Sequence, residues 1–202
     1  LGKLQACPSK RITLKKKIRK DENGNIIPDR TPKQRKNNTK FTFARYMFAF
    51  IRKRFGDLPV WKIAAAQRGM TDDNLIQSTN YKYLDEKGKI LDMEGFQVSL
   101  GPLALPLNLR ATRDGTLVTI TWDDLRDEPS AAPTDRMMVG IFYADYRNTF
   151  TLEKETGATR RDGKCEIILR DDDGEVCIHP FFARADNTAF SEDKAITLPD
   201  TE

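Results

Sequence analysis

Histidine is almost missing from this chain: His179 is the only one in 202 residues. A nucleophile–histidine–acid triad would have to pass through it, and no nucleophile elbow lies beside it. Cysteine is also scarce. Cys7, Cys165 and Cys177 form an odd set without a Cys-x-x-Cys pair, which argues against a disulfide framework or a structural zinc site. A reducing compartment is the default, with one Cys165–Cys177 bridge left open. Cys177 and His179 share a strand face, but a metal would need two further ligands, so a plain strand residue is the expected role and neither metal nor cofactor is expected. Neither a Gly-x-x-x-x-Gly-Lys loop nor a Gly-x-Gly-x-x-Gly turn occurs. No run approaches the ~18 apolar residues of a membrane span, since the longest, Phe41 to Ile51, is interrupted by Arg45. The first residues lack the zones of a signal peptide, because none existed or because it was removed; the location is left unknown, with a bacterial cytoplasm or a phage particle favoured.

What the chain does have is opposed charge. Residues 1 to 69 hold 19 Lys and Arg against 4 Asp and Glu, a balance of +15; the remainder carries −11, leaving the net +4. Asymmetry of this size points to partners. The basic side chains of the first segment, Lys10, Arg11, Lys15, Lys16, Lys17, Arg19 and Lys20, are followed by Lys33, Arg35 and Lys36. All ten are candidate contacts to a protein partner or to phosphates.

Residues 1–31 read as a basic extended arm. Ile12-x-Leu14 has strand spacing, and Asn23-Gly24 is a hairpin signal. Residues 32–105 read as a helical region with a closing strand. Thr31 fits an N-cap and Pro32 the first helical position. Phe41, Ala44, Phe48, Ile51 and Phe55 recur at helical spacing and Gly56 ends the pattern. A second helix is expected around Pro59 to Arg68, with Trp61 on its apolar face, and a third behind a Thr71 cap. Phe41, Phe48, Ile51, Phe55 and Trp61 are the expected packing or interface residues. An exposed base-stacking role is less favoured, because such platforms usually sit on sheets. The aromatic density suggests packing against something larger. Phe96, Val98 and Leu100 alternate as a strand would, and 103–106 reads as a linker.

Residues 106–200 read as all-β. Leu117 to Trp122 is a β-branched strand, Met137 to Tyr146 another, and Cys165 to Leu169 and Val176 to Ala183 flank a turn at Asp171-Asp172-Asp173-Gly174. That acidic turn lacks calcium-loop spacing, so a solvated hairpin is favoured. Ala195 to Leu198 is a last strand. The fold class expected is therefore α+β: a basic arm and small helical region followed by a sandwich.

Pro106, the Thr119-Ile120-Thr121-Trp122 strand and the paired late strands resemble a fibronectin type III or immunoglobulin-like domain, with Trp122 in its core. Over about residues 30 to 198 the chain is similar to an uncharacterised Bacteroidota family, domain of unknown function 6266. The carriers are Arg30-Thr31-Pro32-x-Gln34, the aromatic helix, Gly69-Met70-Thr71 with Asn74 and Asn80, Val98-Ser99-Leu100-Gly101-Pro102 and the late sandwich. Members usually begin with a Gly-rich, Trp-containing segment, replaced here by Cys7 to Arg11 and the lysine run. The resemblance implies architecture and no activity.

The function expected is non-enzymatic: a subunit of a larger assembly (a phage virion, a tail-like device or a cell-surface complex), anchored by its arm and using the sandwich for protein contacts, self-association included. The alternative is non-specific nucleic-acid binding through the lysine run. An enzyme using paired acids or a metal near His179 is the third reading.

Overall fold

The computed structural model describes residues 20–26, 31–124, 126–144, 150–170 and 174–200. The chain divides into two compact units, residues 1–35 and 36–202. In the first, Asp21 organises a turn. Its Oδ1 accepts from the amides of Asn23 (3.0 Å) and Asn25 (2.8 Å), and Lys20 bridges Ile26 across it. This is the hairpin turn expected from Asn23-Gly24. The start of the first helix, α1 (Pro32–Phe55), is closed by a reciprocal cap: Gln34 N donates to Thr31 Oγ1 (3.2 Å) and Thr31 N donates to Gln34 Oε1 (2.9 Å). The Ile12-x-Leu14 spacing lies outside the described residues, as do Asp171 to Asp173.

In the second unit, α1 continues to Phe55 and is followed by α2 (Val60–Gln67) and α3 (Asp72–Asn80). Thr71 caps α3 by accepting from Asn74 N, and Asp72 and Asp73 sit in its positive first turn. Among the described residues seven antiparallel strands follow: β1 (Leu107–Asp114), β2 (Leu117–Asp123), β3 (Arg136–Tyr143), β4 (Phe150–Glu153), β5 (Lys164–Ile168), β6 (Val176–Ala183) and β7 (Ile196–Leu198). They form a three-stranded sheet, β1-β2-β5, and a four-stranded sheet, β4-β3-β6-β7. No helix among the described residues is long and apolar enough to cross a membrane.

The two sheets bury different numbers of faces. β2 and β5 alternate buried with partly or fully exposed residues, so the three-stranded sheet keeps one wet face. β6 is buried at every position and β3 at all but its first. One face of these strands (Val139, Ile141, Ile178, Phe182) meets Val118, Ile120 and Trp122 of the other sheet in one apolar cluster. The opposite face (Met138, Phe142, Cys177, Phe181) joins a second cluster with Phe48, Ile51 and Phe55 of α1 and Trp61 of α2. The larger body that the aromatic helix packs against is thus the back of the four-stranded sheet. Phe55 stacks on Phe150 (ring centroids 5.9 Å apart), and Phe142 meets Phe150 (5.0 Å) and Phe96 (5.3 Å). Such pairs contribute about 0.5–1.5 kcal/mol each beyond the area they bury. Lys154 Nζ donates to Phe55 O (2.7 Å), placing a cation on the negative end of α1.

Pro180 lies within β6, where a missing N–H would break a ladder. Its carbonyl accepts from Lys194 N (3.2 Å), beyond the last residue that pairs with β7. The bare nitrogen therefore faces that side and leaves the β3 ladder intact.

The closing strand expected at Phe96–Leu100 does not form. These apolar side chains are buried, but the segment pairs with no strand. Its amides are taken by side chains: Gln97 N donates to Asn80 Oδ1 (2.8 Å), and Val98 N and Ser99 N donate to Asp193 Oδ1 (2.9 and 2.7 Å). Polar side chains satisfy a buried backbone as well as a neighbouring strand does. The expected linker at 103–106 is pinned too. Leu103 N donates to Phe190 O, while Ala104 O and Leu105 O accept from Arg160 and Arg126.

Gly88 shows how closely α1 is clamped. Its φ is +75°, and a Cβ there would lie 2.8 Å from Phe43 Cβ. Gly88→Ala meets both a left-handed backbone and a collision with the helix. It is expected to cost about 1–3 kcal/mol, read as a lower melting temperature; an unchanged melt would show that this clamp is loose.

Candidate functional site

Two places bring polar side chains together inside the second unit, and a third opens on its surface. The first is the only histidine. His179 and Cys177 point from β6 toward the helical layer. His179 Nδ1 lies 2.7 Å from Asp193 Oδ2 and Nε2 lies 3.4 Å from Cys177 Sγ. This is the order of a thiol–imidazole–carboxylate relay. His179 and Cys177 are fully buried, and the Phe142 ring stands edge-on to the imidazole at 5.2 Å. Burial works against a charged imidazole, but the hydrogen bonds and charge of Asp193, aided by Cys177, outweigh it and push His179 up to about 9. A value of about 9 corresponds to an imidazolium at neutral pH, with a proton on both nitrogens. Because Cys177 and Asp193 bond opposite edges of one ring, their donor atoms do not converge. No metal-holding group of three His, Cys, Asp or Glu occurs among the described residues. Cys165 and Cys177 are free thiols, so the bridge left open between them is not formed.

The second place is Arg160, fully buried in a 3₁₀ turn (Arg160–Asp162) held by a Thr159–Asp162 capping box. Its guanidinium binds Asp124 through Nη1, Asp135 Oδ2 through Nε (3.3 Å) and Ala104 O through Nη2 (2.8 Å). It lies 4.2 Å over the Phe182 ring, and the Trp122 indole donates to its carbonyl (2.8 Å). Arg126 and Arg184 reach the same carboxylates from the rim. Burial pushes the Asp135 carboxyl up despite its arginines. At Asp124 burial is outweighed by hydrogen bonds from Arg126 and Arg160, which hold it down.

The third place is a groove of about 610 Å³ between α1 and α3. Arg52 of α1 bonds Asp73 Oδ1 (2.7 Å) and Asp72 (3.4 Å) at one end, while Lys40 lies 4.6 Å from the Tyr81 ring beyond the other, so the helices run antiparallel. Phe41 and Tyr46 line the groove and are 41% and 68% exposed, large values for aromatics on a packed helix. Arg45 lies between them without an ion-pair partner among the described residues. Asn74 and Gln77 line the opposite wall. On the other flank, Lys36 pairs with Glu86 and Phe43 meets Gly88. One side of α1 is therefore clamped and the other is open.

No protein-family model matches the chain, and no curated protein matches it.

Of the residues singled out in the sequence, Phe48, Ile51, Phe55 and Trp61 lie in the helix–sheet core and Trp122 between the sheets. Phe41 lies at one edge of the apolar stripe and is exposed in the groove, because the buried face centres on Ala44 and Ile51 and extends to Met47 on the opposite edge. Lys20 is exposed at the Asp21 turn, and Lys33, Arg35 and Lys36 are exposed on the first turns of α1. Lys10, Arg11, Lys15, Lys16, Lys17 and Arg19 lie outside the described residues. Asp193 and Arg160 were not visible as site residues. Asp193 reads as one more loop acid, and Arg160 as half of a surface Arg-Arg pair.

Proposed function

We propose that this chain is a non-enzymatic binding subunit of a larger assembly, a member of the Bacteroidota family its motifs resemble, built on a fibronectin type III-like sandwich and anchored through its basic segment. One observation carries the reading: α1 holds eight Lys and Arg and no acidic residue, while residues 70–202 carry a balance of −11. Two opposed charge fields on one chain favour association with copies or partners of opposite face, steered over a Debye length of about 8–10 Å. The strand order supports the sandwich type, since the third, sixth and seventh strands share one sheet and the first, second and fifth the other. The family resemblance adds architecture and no chemistry.

Native mass spectrometry at low and high salt tests the assembly reading. Oligomers at ~50 mM salt that dissociate as screening rises are the expected result; a strict monomer at both would count against it. Nucleic-acid binding is the second reading, favoured by the run Lys15-Lys16-Lys17-Ile18-Arg19-Lys20. It requires a steep fall in affinity for a DNA duplex with salt, and absence of binding at ~50 mM would remove it.

A further inference from the structure

We infer that the open groove between α1 and α3 is a docking site for an acidic peptide segment that carries an apolar anchor, supplied by a partner protein. The inference rests on the binding-subunit reading and adds the site and the chemistry of its occupant. Three features specify that chemistry. Phe41 and Tyr46 present exposed rings on the groove wall, where an aliphatic or aromatic side chain would be desolvated. Arg45 stands between them with no ion-pair partner among the described residues, on a helix with no carboxylate of its own. Its charge complements a carboxylate one or two positions from the anchor. Asn74 and Gln77 face it from α3 with side-chain amides that can donate to and accept from an extended backbone.

The groove's other lining cation is already engaged. Arg52 is held by Asp72 and Asp73, which fixes that end and leaves Arg45 as the cation available to a ligand. A nucleic acid would meet an isolated cation here rather than a stripe of them, so the acidic peptide is the better fit. The opposite flank of α1 is occupied by Glu86 and Gly88, which limits docking to this side.

The test uses the full chain and a labelled synthetic peptide of acidic residues around a central leucine–tryptophan pair, read by fluorescence anisotropy at ~150 mM salt, where weak surface attraction is screened. Arg45→Glu, and separately Phe41→Ala with Tyr46→Ala, are each expected to weaken binding about tenfold or more, the scale of a lost interface anchor. Ile168→Ala, on the wet face of β5, is expected to leave it unchanged. Melting temperatures of all variants should stay near wild type, because the altered side chains are exposed. Equal binding by wild type and Arg45→Glu would overturn the proposal. So would equal binding of an all-acidic peptide lacking the apolar pair, which would assign the attraction to the lysine run. Binding of single-stranded DNA that Arg45→Glu abolishes, with peptide binding kept, would reassign the groove to nucleic acid. Peptide binding unchanged in the groove variants, together with salt-dependent oligomers, would leave the assembly reading standing while the docking proposal falls.

Discussion

Arg160→Met is expected to destabilise the fold by about 3–5 kcal/mol, the cost of leaving buried carboxylates without their partner. The guanidinium joins Asp124, Asp135 and Ala104 O while stacking on Phe182, so methionine replaces volume and leaves every polar partner behind. Arg126 and Arg184 approach the carboxylates from the rim and neutralise only part of the loss. Urea denaturation reads the change as a lower midpoint with an unchanged slope. Adding Asp124→Asn and Asp135→Asn to Arg160→Met should recover part of the stability, because the uncompensated charges are gone. A loss under about 1 kcal/mol for Arg160→Met alone would mean that the cluster is hydrated, since exposed ion pairs contribute at that level.

The second large effect is a loss of stability in mild alkali. His179 has a folded value of about 9 against about 6.5 when unfolded. Its value is raised on folding, so the contribution is fully present below about pH 6.5 and is lost as pH climbs through about 9. The expected size is about 3 kcal/mol between those limits. Asp193→Asn isolates it. Asparagine keeps an acceptor for Val98 and Ser99 but offers an amide donor to the imidazole, which favours the neutral ring. The variant should be less stable than wild type at pH 6 and should converge on it near pH 10. Parallel curves for the two proteins would show that the pair is not the source of the pH dependence.

Most local structure was legible. Thr31-Pro32, Gly56 and Thr71 mark helix ends by capping chemistry, and β2 alternates as a half-buried strand must. The near-continuous apolar runs of β3 and β6 match a sheet covered on both faces, a consequence not drawn from the sequence. What was hidden depends on contacts far apart in the chain. Asp193 bonds amides 94 and 95 residues away, and Arg160 bonds Asp124 across 36. No local pattern encodes such pairs. The same contacts explain the missing strand, because buried alternation at Phe96, Val98 and Leu100 arises whether a neighbouring strand or a carboxylate takes the amides. β4, four residues long, is too short for its period to register.

We propose that this chain works through its basic surface and that its thiol–imidazole relay serves structure. Sedimentation velocity at low salt on wild type, Cys177→Ala and a variant with Lys15, Lys16, Lys17, Arg19 and Lys20 changed to glutamine addresses it directly. Wild type and Cys177→Ala are expected to associate alike, while the glutamine variant sediments as a monomer. Association that survives loss of the five cations but disappears with Cys177 would contradict it.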